Sequence, residues 1–154
     1  MDKVNIYMYT TIKGPGAREG SYTYILEYIT EKGPVTLTKQ DSITATENRA
    51  HLLILIRALE RLKHPCELEI YTDSEYVRSG ALKWLKDWER RGWVTAKGRH
   101  VANKEEWQRA SELLSRHLVT FCIGETHSYR EWIVADTEKR EKERRDAGKH
   151  GKKG

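Results

Sequence analysis

Asp73 closes the run Leu68-Glu69-Ile70-Tyr71-Thr72 and is followed at once by Ser74 and Glu75. A buried strand that stops on a carboxylate just before a helix is a frequent seat for a metal ion. Hard cations such as Mg²⁺ need several oxygen ligands, however, so one carboxylate holds them weakly and a metal centre at Asp73 requires partners. Glu47 and His51 stand four residues apart in a segment of helical spacing and therefore share a face. Glu47 is either a replacement carboxylate or a solvated acid complementing a helix N-terminus, and His51 is either a half-buried packing residue or a ligand or base. A different chemistry lies between Arg78 and Arg99. Seven bases, among them Lys83, Lys86, Arg90, Arg91 and Lys97, are interleaved with Trp84, Trp88 and Trp93 against only Asp87 and Glu89. Bases supply phosphate affinity through counterion release, and indoles offer flat apolar faces for sugars. The alternative is packing tryptophans beneath a solvated charged face.

The elements that must carry these residues follow from periodicity. Val4 to Tyr9 alternates as a strand, 22–29 is a second and 35–40 a third, with Glu31-Lys32-Gly33-Pro34 as the hairpin turn. Residues 46–63 place Leu52, Leu55, Ile56, Leu59 and Leu62 at helical spacing and stop at His64-Pro65. Residues 66–72 return as a strand that must cross over and lie parallel. Helices are predicted over 75–93 and 103–117, the latter with Asn103 as N-cap, then a fifth strand over 118–123 and a last helix from Arg130 to about Arg145. This order predicts an α/β chain with one mixed sheet and helices packed on it.

The chain has 154 residues, 38% apolar and 33% charged, enough for one domain with a real core. No run approaches the roughly 18 apolar residues that cross a bilayer, and Met1 to Asn5 leads straight into a strand, so a soluble, cytoplasmic chain with no membrane partner is expected. Cys66 and Cys122 lack metal or redox spacing and read as reduced thiols. From Lys139 onward eight bases face three acids, which accounts for the whole net charge of +5. Residues 139–154 are expected to be the end of the last helix and a basic tail, disordered at Gly148 and at the closing Gly-Lys-Lys-Gly.

The segments TENRAHLLILIRALERL, PCELEIYTDSEYV and KWLKDWERRGWVTAKGRHVANKEEWQRASELLSRH, with HSYREWIVAD near the end, resemble the type 1 ribonuclease H family. The most specific portion is Trp84, Trp88 and Trp93 followed by Thr95, the basic loop, Asn103 and Trp107. The likeness spans residues 4 to about 136 and implies a ribonuclease H-like domain over residues 1–138, with a five-stranded mixed sheet and helices on both faces. It also implies a hydrolase that cuts the RNA strand of an RNA–DNA hybrid with two Mg²⁺ or Mn²⁺ ions held by four carboxylates. Two such ions repel, and a cluster of negative oxygens is what holds both.

Carried over by position, the resemblance makes Asp73 one of the acids and Asp136 another, and aligns His127 with a loop histidine that assists proton transfer or product release. Tyr9 and His51 stand at the other two acid positions. A phenol is neutral near pH 7 and an imidazole suits Zn²⁺ or Mn²⁺ better than Mg²⁺. The final segment is also one residue shorter than the family's and lacks its His-Pro-Glu-Asn core. The resemblance assigns nucleic-acid contacts to Thr46, Asn48, Glu75, Asn103 and the protrusion carrying Lys83, Trp84, Lys86, Trp88, Arg90, Arg91, Trp93 and Lys97. Three functions are then open. One is a binder of RNA–DNA hybrid or double-stranded RNA whose two-Mg²⁺ cleavage is lost or impaired. The others are a nuclease remodelled around His51, Asp73, His127 and Asp136 with Mn²⁺ or Zn²⁺, and a protein-interaction module.

Overall fold

The computed structural model describes residues 1–151. Five strands form one sheet in the order β3-β2-β1-β4-β5, comprising β1 (Asp2–Thr10), β2 (Arg18–Thr30), β3 (Gly33–Ala45), β4 (Cys66–Thr72) and β5 (Leu118–Ile123). The first three make an antiparallel meander, while β1 pairs parallel with β4 and β4 parallel with β5. The β2–β3 hairpin turns at Glu31 and Lys32, and Gly33 takes φ +110°, a conformation that costs other residues a steric penalty. Both hairpin strands run 13 residues, well beyond the expected 22–29 and 35–40. Much of β3 is exposed at the sheet edge, so no apolar alternation marks its extent in the sequence.

Period-two alternation in β1 sorts its side chains between two layers. Val4, Ile6 and Met8 join α1 (Glu47–Leu59) and α4 (Lys104–Leu114) in the main core, whereas Tyr7 and Tyr9 face α5 (Arg130–Gly151) around Ile133. Helices thus cover both faces. Thr46 caps α1, its Oγ1 accepting from the Arg49 amide at 3.3 Å. The stretch read as one helix over 75–93 is divided into α2 (Glu75–Ser79), a π-helical turn (Gly80–Trp84) and α3 (Leu85–Arg90). At Gly80 an added Cβ would lie 2.3 Å from the Trp107 ring, so only glycine admits this approach.

The last helix runs further than the expected end near Arg145. α5 continues through Gly148 to Gly151, and residues 152–154 lie outside the described residues. Beyond Ile133 its hold on the sheet is polar. Thr137 hydroxyl pairs with Thr23 hydroxyl at 2.7 Å, and buried Glu141 accepts from Ser21 Oγ at 2.9 Å and from Arg144 and Arg145 at 2.8 Å. Arg144 above all, helped by Ser21 and Arg145, holds the Glu141 carboxyl at about 2 against the opposing effect of burial. A carboxylate depressed in the folded state stabilises above its unfolded pKa, and that contribution is lost as pH falls from about 4.5 toward 2. Glu141→Gln is expected to cost about 2 kcal/mol at pH 7 and much less at pH 3, read from urea unfolding at the two pH values.

Among the described residues no helix is long and apolar enough to cross a membrane. Cys66 and Cys122 are free thiols.

Candidate nucleic-acid interface and carboxylate site

Parallel β1 and β4 end side by side, and their ends build the site. Thr72 Oγ1 accepts from the Ser74 amide at 3.0 Å, and Ser74 Oγ accepts from the Val77 amide at 3.1 Å, starting α2. This turn presents Asp73 between strand and helix, as expected. Its partner is a cation from another element: Arg130 Nη1 donates to Asp73 Oδ2 at 2.7 Å.

Tyr9, buried at the end of β1, donates its hydroxyl to Glu138 Oε1 at 2.7 Å. Burial first, then the hydrogen bond to Glu138, push its phenol up to about 12, so it stays neutral across the physiological range. Arg130 Cζ lies 5.7 Å and Lys13 Nζ 5.1 Å from the centre of the Tyr9 ring, both within cation–π range.

His51 is 4% exposed, and its Nδ1 is buried without a hydrogen-bond partner. Burial, then the Lys13 charge, lower its pKa, with Glu47 and Asp73 opposing. Glu47 is itself tied elsewhere, accepting from the Gly14 amide at 2.9 Å. His127 packs against Tyr7 with tilted rings whose centres lie 4.4 Å apart, and accepts from the Tyr129 amide at 3.2 Å through Nδ1. Burial and Arg130 lower its pKa too. Beneath it Glu27 accepts from Tyr7 at 2.9 Å, Asn5 at 3.0 Å and Tyr129 at 2.6 Å, fixing the aromatic cluster.

Asp136 does not join this group. It accepts from Gln40 of β3 at 2.7 Å and from Arg140 at 2.9 Å, and β2 and β1 lie between β3 and β4. Helical geometry gives the reason. Positions 130, 134 and 138 share one side of α5, and 136 and 140 point toward the edge strand. Among the described residues no three His, Cys, Asp or Glu side chains converge to hold a metal ion, so the alternative of a Mn²⁺ or Zn²⁺ centre built on His51, Asp73, His127 and Asp136 finds no such cluster. A Mg²⁺ pair does not fit the donors either. Asp73 is neutralised by Arg130, Tyr9 stays protonated, and His51 is shut into the core. Arg130, Lys13 and Glu138 were not singled out from the sequence. The one signal for Arg130 and Glu138 is their helical spacing, with position 134 between them, and nothing in the sequence marks Lys13.

Three histidines have lowered pKa values, His51 and His127 and also His117, whose Nδ1 accepts from the Cys66 amide at 2.9 Å. Below about 6.5 the unfolded chain takes up protons that the folded chain refuses, so stability falls as pH drops from there. His51→Leu should shorten that fall and, by removing the orphaned nitrogen, add about 1 kcal/mol at pH 7. Urea midpoints at pH 7.5 and 5.5 measure both.

The expected nucleic-acid residues are better gathered. Thr46, Asn48 and Asn103 line one cleft of about 560 Å³ with Gly14, Pro15, Glu47, Tyr76 and Ala102. Asn103 takes φ +58° and makes no side-chain cap, against expectation. Its Nδ2 donates instead to the Tyr76 hydroxyl at 3.1 Å, which also accepts from Trp107 Nε1 at 2.8 Å. Glu75 in the first turn of α2 accepts from Arg78 and Ser79, each at 3.1 Å. Trp84, Trp88, Trp93 and Trp107 form a continuous series with successive ring centres 5.4 to 6.3 Å from Trp88. Trp84 stays 44% exposed, and Lys83, Lys86, Arg90, Arg91 and Lys97 are all exposed, Arg90 paired with Asp87.

Sheet order, helices on both faces and a carboxylate at the end of the central parallel pair define a ribonuclease H-like fold. A solved structure described as LC9-RNase H1, a type 1 RNase H with the type 2 active-site motif, shares this fold at a TM-score of 0.73 and 24% identity, covering 91% of this chain and 72% of that one. The PFV RNase H domain does so at 0.63 and 22%, covering 92% of each. The RNase H family model matches residues 3–141. Ribonuclease HI of Xylella fastidiosa strain 9a5c is 36% identical over 129 residues, 83% of each chain. Ribonuclease H of Clostridium botulinum strain Hall is 36% identical over 135 residues, 86% of this chain and 89% of its own. The chain belongs to the ribonuclease H family, whose members generally depend on divalent metal ions.

Proposed function

We propose that this protein is a cytoplasmic binder of RNA–DNA hybrid or double-stranded RNA in which ordinary two-Mg²⁺ cleavage is lost or strongly impaired. The observation that carries this reading is the 2.7 Å ion pair of Arg130 with Asp73. A guanidinium sits on the carboxylate that a metal would need, and the adjoining positions hold a neutral phenol and a buried imidazole. Binding is supported by the cleft of Thr46, Asn48 and Asn103 and by the exposed bases beside Trp84. Phosphate contacts from such bases give salt-dependent affinity, and groups at a shallow groove can read a ribose 2′-hydroxyl.

The test is one labelled hybrid followed in parallel for binding, by anisotropy, and for cleavage, with Mg²⁺, Mn²⁺ and Zn²⁺. Saturable binding that weakens with salt and an uncut substrate are expected. Efficient metal-dependent cutting would overturn the reading.

A further inference from the structure

Two cations from distant parts of the chain each lie within cation–π range of the Tyr9 ring, Lys13 Nζ at 5.1 Å and Arg130 Cζ at 5.7 Å from its centre. Lys13 comes from the loop after β1 and Arg130 from the first turn of α5. Among the described residues the Lys13 ammonium makes no ion pair and is exposed to solvent. Arg130 spends one Nη1 donor on Asp73, which leaves the rest of its fork unpartnered among the described residues. The nearby acids are already served, Asp73 by Arg130 and Glu138 by the Tyr9 hydroxyl. Lys13 directly precedes Gly14, which lines the cleft of Thr46, Asn48 and Asn103, and Arg130 lines the adjoining hollow with Asp73 and His127. Both the Lys13 charge and Asp73, the partner of Arg130, act on the buried His51, which places the two cations on the same side of the sheet end.

We propose that Lys13 and Arg130 form a metal-independent seat for a backbone phosphate of the nucleic-acid strand held in the adjoining cleft, with the Tyr9 ring as its floor. The inference rests on the hybrid-binding reading and deepens it, since it names the groups that take the phosphate in place of metal ions. A guanidinium fork matches two phosphate oxygens at once, and an ammonium adds a compact charge with freely rotating donors. The neutral phenol adds no negative charge to repel the phosphate, whereas a divalent ion would have to displace Arg130 from Asp73 and then share the space with two positive charges.

Anisotropy of a fluorescein-labelled RNA–DNA hybrid, at constant ionic strength with EDTA or with Mg²⁺, tests this on the full chain. Wild type should bind equally in both. Lys13→Ala and Arg130→Gln should each weaken binding by about tenfold and each lower the slope of log affinity against log salt by about one. Arg130→Lys, which keeps the charge but loses the fork, should recover part of the loss. Lys13 lies in an exposed loop, so its variant does not depend on a change in the core. If wild type binds hybrid and both neutral variants match it, the seat is refuted and the binding reading survives. Binding that requires Mg²⁺ also refutes the seat. A wild type that binds no hybrid removes both.

Discussion

Replacing Lys86, Arg90 and Arg91 together by Ala is expected to weaken hybrid affinity by about 10²-fold near physiological salt and to flatten its salt dependence. All three are exposed beside the tryptophan series, so their removal leaves the core untouched. Arg90 is already engaged by Asp87 within α3, and it gives up that pair when it takes a phosphate. The slope should therefore fall by nearer two than three. The loss should be similar for RNA–DNA and double-stranded RNA, because phosphate contacts position a ligand without distinguishing its sequence. An unchanged slope would assign binding to the basic end of the chain, and deletion of residues 147–154 is the matching control.

The second large effect concerns catalysis. Tyr9→Asp with His51→Glu places acids at the two positions that the family resemblance singles out, yet Arg130 would still neutralise Asp73. That double variant should remain nearly inactive. Adding Arg130→Ser frees Asp73, and Glu138, whose Oε1 now lies 2.7 Å from the Tyr9 hydroxyl, becomes the α5 carboxylate nearest the rebuilt cluster. Mg²⁺-dependent hybrid cleavage should then rise by about 10²-fold or more over the double variant. The same triple change with Glu138→Gln should lose most of that gain, whereas Asp136→Asn should not. If Asp136→Asn is the damaging change, α5 rotates on binding and the placement of its two carboxylates must be reversed.

Much of the sheet was legible because burial imposes a period. Val4, Ile6 and Met8 alternate with Tyr7 and Tyr9 since each set packs under different helices, and Asp73 announces itself by ending an apolar strand. The rest was hidden for physical reasons. β3 is a largely exposed edge whose Thr, Lys and Gln residues carry no apolar signal, so its length could not be read. α5 is charged almost throughout, and its attachment to β2 through Thr137 and Glu141 is polar, which gave its end the composition of a disordered tail. The site was half legible. Sequence spacing identifies a missing acid, but the carboxylate pattern does not point to the arginine that pairs with Asp73. Choosing Glu138 over Asp136 required the rotation of α5, because a two-residue difference turns a side chain from one strand to another. Glu47 and His51 do share a helix face, yet their neighbours separate them. One is fastened to Gly14 and the other closed off in the core.

Trp107 joins two surfaces that are distant in sequence. Its ring lies against Gly80, at the π-helical turn that leads into α3, and its indole nitrogen is bonded to Tyr76, which lines the cleft and also holds Asn103. One indole, fully buried, thus ties the tryptophan-bearing segment to the asparagine-lined cleft. The spacing of the two surfaces is set by the packing of a single core side chain, and on the binding reading proposed above that spacing selects a duplex by its width.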